Sequence, residues 1–212
     1  MSFKIATMAS ILKPGKAGPV PCIEGWGDKP GIDVIDRVEA MKKRMQPGDI
    51  ITTDPRRPVR HHRIFKALSK TVQGSRFGHN AMYVGDGNVV DVRDNGVISR
   101  PLLDLARCNQ FLVHRPKAPK ADRLRAAKWM RDNVGNRALS VTVGNLVVHG
   151  AKPTVLSSKH EGERQKLDRA ICSAVIANAY ARVPFNKNRR IADTRPGDIL
   201  RSRHVKRIGV VK

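Results

Sequence analysis

Two hydrophobic periods run through this chain. Ala81 to Val84 and Val89 to Val92 are short apolar runs with the residue types of strands, and Gly85-Asp86-Gly87-Asn88 lies between them. An Asp-Gly step between two such runs predicts a tight hairpin. A helical period appears at Val34, Val38, Met41 and Met45, predicting a short amphipathic helix over 32–45 that packs on the core. The same period places Leu124, Ala127, Met130 and Val134 on one face of a helix over 120–134, ended by Gly135. Strands are expected at 49–53 and 107–115, and a basic helix or loop at 60–72. The apolar run from Arg169 to Tyr180 reads as a buried helix. Residues 1–31, rich in Gly and Pro, read as an extended arm. Residues 136–168 begin Val-rich, turn polar, and are expected to shape a cleft or form a lid. The mixture predicts an α+β fold, with an arm and short helix over 1–45 and one domain over 46–212.

The buried helix carries the first candidate for chemistry. Cys172 stands near its N-terminus, where orphan backbone N–H groups and the positive end of the helix dipole favour a thiolate, the nucleophilic form of cysteine. His79 heads the first strand of the predicted hairpin, and Asp91 lies on the second. Antiparallel return brings residues nearly equidistant from the turn into lateral contact. Asp91 is then within reach of one imidazole nitrogen of His79, and the other is left to face Cys172. A nucleophile, a base and a group that orients the base make the catalytic arrangement shared by thiol and serine hydrolases. Asp is uncommon in strands, so an aspartate among Val89, Val90 and Val92 calls for a reason.

The run Gly78-His79-Asn80-Ala81-Met82-Tyr83-Val84-Gly85-Asp86-Gly87 resembles the "SHVGIYVGDG" signature of the NlpC/P60 papain-like cysteine peptidases. Asp91 stands twelve positions after His79, where that family carries its third polar residue. Cys172 follows His79 by 93 residues instead of preceding it, an order similar to the circularly permuted branch with the YiiX/YebB-like hydrolases and the lecithin:retinol acyltransferase-like enzymes. Gln46-Pro-Gly-Asp-Ile-Ile-Thr52 resembles the opening strand of that branch. Arg195-Pro-Gly-Asp-Ile-Leu-Arg-Ser202 resembles the segment after its cysteine helix. The resemblance spans about 46–205 and implies a papain-like antiparallel half-barrel packed on the nucleophile helix. It further implies cleavage of an amide in peptidoglycan stem peptides by Cys172, His79 and Asp91. Ala174 departs from it, standing where many permuted relatives carry glutamate.

The remaining cysteines and histidines add no second site. Cys22 lies in the Pro/Gly-rich arm, Cys108 marks the turn into an expected strand, and neither forms a Cys-x-x-Cys pair. His61, His62, His114, His149, His160 and His204 show no ligand spacing, so neither a metal nor a cofactor is expected.

Charge bears on partners. The chain of 212 residues carries a net charge of +23. Seven Arg or Lys lie between Arg56 and Arg76, and ten follow Ala181 against Asp193 and Asp198. Such a field attracts polyanions: peptidoglycan with its anionic polymers, an anionic lipid surface or, nonspecifically, nucleic acid. Aromatic residues at 4% leave few platforms for base stacking. No apolar stretch approaches the ~20 residues of a membrane span, and Met1 to Leu12, interrupted by Thr7 and Ser10, makes a poor signal peptide. The expectation is synthesis in the cytoplasm and delivery to the envelope by lysis or in a bacteriophage virion, with the arm docking on phage structural proteins. Two other classes remain open from sequence: a lipid acyl hydrolase or acyltransferase using the same three residues, and a non-catalytic virion or nucleic-acid-associated scaffold.

Overall fold

The computed structural model describes residues 32–55, 78–93, 96–139, 171–185, 191 and 194–212. The expected arm, the basic segment after β1, the cleft or lid segment beyond residue 139, Cys22, His61, His62, His149 and His160 lie outside the described residues.

Six antiparallel strands form one sheet in the order β4-β3-β2-β1-β5-β6. They are β1 (Ile50–Pro55), β2 (His79–Gly85), β3 (Asn88–Arg93), β4 (Gly96–Pro101), β5 (Asn109–Pro116) and β6 (Val205–Val211). Strand alternation gives the sheet two apolar faces. On one, Ile50, Met82, Val84, Val90 and Val92 meet α3 (Lys120–Asp132) and α4 (Cys172–Ala179). On the other, Ile51, Ala81, Tyr83, Val89, Phe111 and Val113 meet α1 (Ile32–Lys42) and α2 (Leu102–Cys108). A short α5 (Pro196–Arg201) leads into β6. The result is an α+β fold of three layers.

The hairpin of β2 and β3 turns at Asp86 and Gly87, whose φ angles of 53° and 74° are the paired positive values of a type I′ turn. Its register sets Asp91 directly opposite Ala81.

The two Pro-Gly-Asp runs do the same local work. Asp49 Oδ2 accepts from the Gln46 backbone N–H at 2.8 Å, and Asp198 Oδ2 accepts from that of Arg195 at 2.9 Å. Asp49 is also gripped by Arg115, with Nε and Nη2 each donating at 2.8 Å. Gly48, at φ 94°, lies against the end of α4, where Tyr180 Oη donates to its carbonyl at 2.5 Å. A Cβ on Gly48 would stand 2.5 Å from that hydroxyl and 2.7 Å from the Arg123 carbonyl, so only glycine fits.

Two expectations are corrected. Residues 107 and 108 belong to α2, not to a strand, because Leu102, Leu105 and Ala106 bury one helical face before β5 starts at Asn109. Leu124 and Val134 do not face the core; α3 ends at Asp132 and buries Ala126, Ala127 and Met130, small residues that permit close approach to α4. The basic C-terminal segment contains an edge strand, β6, beside β5. Val38, Met41 and Met45 pack on the core as expected, and Trp129 packs against it from a partly buried position.

Candidate functional site

Every residue of α4 is buried, and Cys172 is its first helical residue. The entry is fixed by Ser173 Oγ, which donates to the Thr194 carbonyl at 2.6 Å. No side chain caps the helix at Ile171, so the dipole acts on the thiol directly.

His79 opens β2 as Cys172 opens α4, and the imidazole and the thiol lie close enough to perturb one another. The other side of the imidazole is fixed by the hairpin: His79 Nε2 and Asp91 Oδ1 form a short hydrogen bond. This contact is diagonal across the β2–β3 ladder, since Asp91 pairs directly with Ala81. Cys172, His79 and Asp91, dispersed over 94 residues of sequence, thus form one continuous chain of polar contacts.

Sequence reasoning missed what surrounds Asp91. Its Oδ2 accepts from Arg93 Nε at 2.8 Å and from Arg100 Nη2 at 2.6 Å. Arg100 is buried and Arg93 is about one-third exposed. Arg93 carries a signal, since it lies two residues beyond Asp91 and strand period puts it on the same face. Arg100 needs the β3–β4 register, in which Asp91 pairs with Ile98, and the turn-forming Asp94-Asn95-Gly96 run is the only sequence clue to that pairing.

Electrostatics follow from this geometry. Burial raises the Asp91 carboxyl, but His79, Arg93 and Arg100 outweigh it and hold the group well below the usual carboxylate range. Burial lowers His79, and the Asp91 carboxylate and the Cys172 thiolate reverse that, raising its pKa to about 9. Burial raises the Cys172 thiol, yet the imidazolium beside it and the Asn80 backbone N–H bring it below its ordinary value, with Asp91 opposing. Both shifts run toward a thiolate–imidazolium pair.

The surroundings are unusual for a core built for stability alone. Asn80 is fully buried opposite Thr52, and among the described residues neither its carboxamide nor the Thr52 hydroxyl has a hydrogen-bond partner. Each such group costs about 1–3 kcal/mol. Ala174 is fully buried in the apolar cluster. His114 is buried in β5, and His204 lies at the turn before β6, beside a surface cavity of about 470 Å³. Among the described residues, no group of three or more His, Cys, Asp or Glu side chains is placed to hold a metal, and no helix is long and apolar enough to cross a membrane.

Against known proteins, the chain matches no family model and no curated protein.

Proposed function

We propose that this protein is a thiol hydrolase of the circularly permuted papain-like type, cleaving an amide bond in peptidoglycan stem peptides. The observation that carries the proposal is the unbroken thiol–imidazole–carboxylate chain from α4 to β3. The packing of the cysteine helix on β2 and β3 of an antiparallel sheet supports the fold assignment, together with the chain order of histidine, aspartate and cysteine.

In this mechanism the Cys172 thiolate attacks the amide carbonyl carbon. The carbon–nitrogen bond breaks as the His79 imidazolium gives its proton to the leaving amine. The neutral imidazole then takes a proton from water, whose oxygen attacks the thioester and releases the acid and the thiolate. Asp91 holds the ring orientation and stabilises the imidazolium. The Cys172 backbone N–H, at the helix N-terminus, is a donor for the oxyanion. A net charge of +23 favours residence on an anionic wall polymer.

The test is digestion of purified peptidoglycan by the full chain and by Cys172→Ala. New free amines and soluble stem-peptide fragments from the wild type alone are expected. Release by both proteins, or by neither, contradicts the proposal.

A further inference from the structure

We infer that Arg93 reads a carboxylate on the substrate close to the scissile amide, so that the preferred substrate is an anionic acyl peptide. The inference rests on the thiol-hydrolase reading for the reaction, but the charge preference can be measured without turnover.

Two guanidiniums converge on one oxygen of Asp91. Asp91 Oδ2 accepts from the buried Arg100 at 2.6 Å and from the partly exposed Arg93 at 2.8 Å. The second guanidinium on the same oxygen has a cost, because each arginine repels the other; Arg93 is among the causes that lower the pKa of Arg100. Asp104 offsets part of the charge on Arg100. Counting Cys172 as thiolate and His79 as imidazolium, three cations in the chain itself share two anions. The uncompensated charge lies toward Arg93, whose side chain is 35% exposed against 5% for Arg100.

The donors point the same way. A guanidinium has five N–H groups, and Arg93 commits Nε to Asp91. Among the described residues Asp91 is its only hydrogen-bond partner, which leaves its two Nη groups uncommitted. Those groups form the edge that binds a carboxylate in bidentate fashion.

Position supplies the rest. Arg93 ends β3, and continuing the Ala81–Asp91 register by two residues brings it across from His79. Directly opposed residues have Cβ atoms about 4.5–5.5 Å apart. The free guanidinium edge therefore stands one side chain away from the imidazole that serves the thiol, about where the residue next to the scissile bond would lie.

The experiment compares alkylation of Cys172 in the full chain by N-iodoacetylglycine, which ends in a carboxylate, and by its neutral C-terminal amide. Rates are followed by mass spectrometry of the Cys172 peptide at low ionic strength, for wild type, Arg93→Gln and Arg93→Lys. The wild type is expected to prefer the carboxylate reagent by about fivefold or more, as a charge-assisted contact at a partly exposed site gives. Arg93→Gln should bring the ratio near one, with the amide rate of each variant serving as its own reference, and Arg93→Lys should restore part of the ratio. An equal ratio in wild type and Arg93→Gln overturns the inference. A parallel fall in both rates also overturns it, since Arg93 would then only clamp Asp91. Failure of the hydrolase reading is seen separately, as a wild-type thiol that reacts with the amide no faster than an ordinary cysteine.

Discussion

His79 and His114 stand on the two strands that flank β1, and both lie where burial disfavours the imidazolium. At His114 burial prevails. The pKa falls to about 4, with the Arg207 guanidinium, its register partner on β6, adding to the effect. At His79 the Asp91 carboxylate and the Cys172 thiolate reverse the outcome and raise the pKa to about 9. Burial is common to both; only His79 has an anion held ionised against it by two arginines. A buried histidine becomes a chemical group when its neighbours keep its charge, and a packing group when they do not.

The stability contributions have opposite signs. His79, raised above its unfolded value, contributes stability that is complete below about pH 6.5 and is lost as pH rises through about 9. His114, lowered, contributes stability that is complete above about pH 6.5 and is lost as pH falls toward 4.

The largest break in this contrast is Asp91→Asn. It removes the charge that reverses His79 and should lower the rate of peptidoglycan hydrolysis by roughly 10²–10⁴-fold, read from initial release of free amines. Next is Arg100→Met, which leaves Asp91 with one arginine fewer in a buried setting. A loss of about 2–4 kcal/mol is expected from urea unfolding, and an unchanged midpoint would remove Arg100 from the account. A third test addresses the other histidine. His114→Leu should flatten the acid limb of stability, which in the wild type loses up to about 3 kcal/mol between pH 6.5 and 4 through this group. The smallest effect is that of Arg207→Glu, which gives His114 the anion it lacks. Its pKa should rise by less than about one unit, because residue 207 is exposed to solvent; NMR titration of the ring reads this directly.

Much of the site was legible in the residues. The Asp-Gly turn set the hairpin, its length brought Asp91 to His79, and the apolar run around Cys172 predicted a buried helix beginning near the thiol. The Pro-Gly-Asp runs were recognisable, although their role as backbone-binding aspartates, and the lack of room for a side chain at Gly48, emerge only in three dimensions. Helix α2 escaped because its seven residues are too few for a strong period, though Leu102, Leu105 and Ala106 have helical spacing. On and just beyond α3 the larger apolar residues Leu124 and Val134 misled, since close packing on α4 selected the small face with Ala126 and Ala127. Arg100 was hidden because its role depends on the β3–β4 strand register.

The central claim is that His79 holds Cys172 as a thiolate. Its most direct test is the rate of Cys172 alkylation by iodoacetamide between pH 4 and 9, in wild type and in His79→Ala, followed on the Cys172 peptide. The account predicts a wild-type thiol that reacts well below the ordinary cysteine range near pH 8.5, with that low-pH reactivity lost in His79→Ala. Two superimposable curves, each rising only near or above pH 8.5, would contradict it.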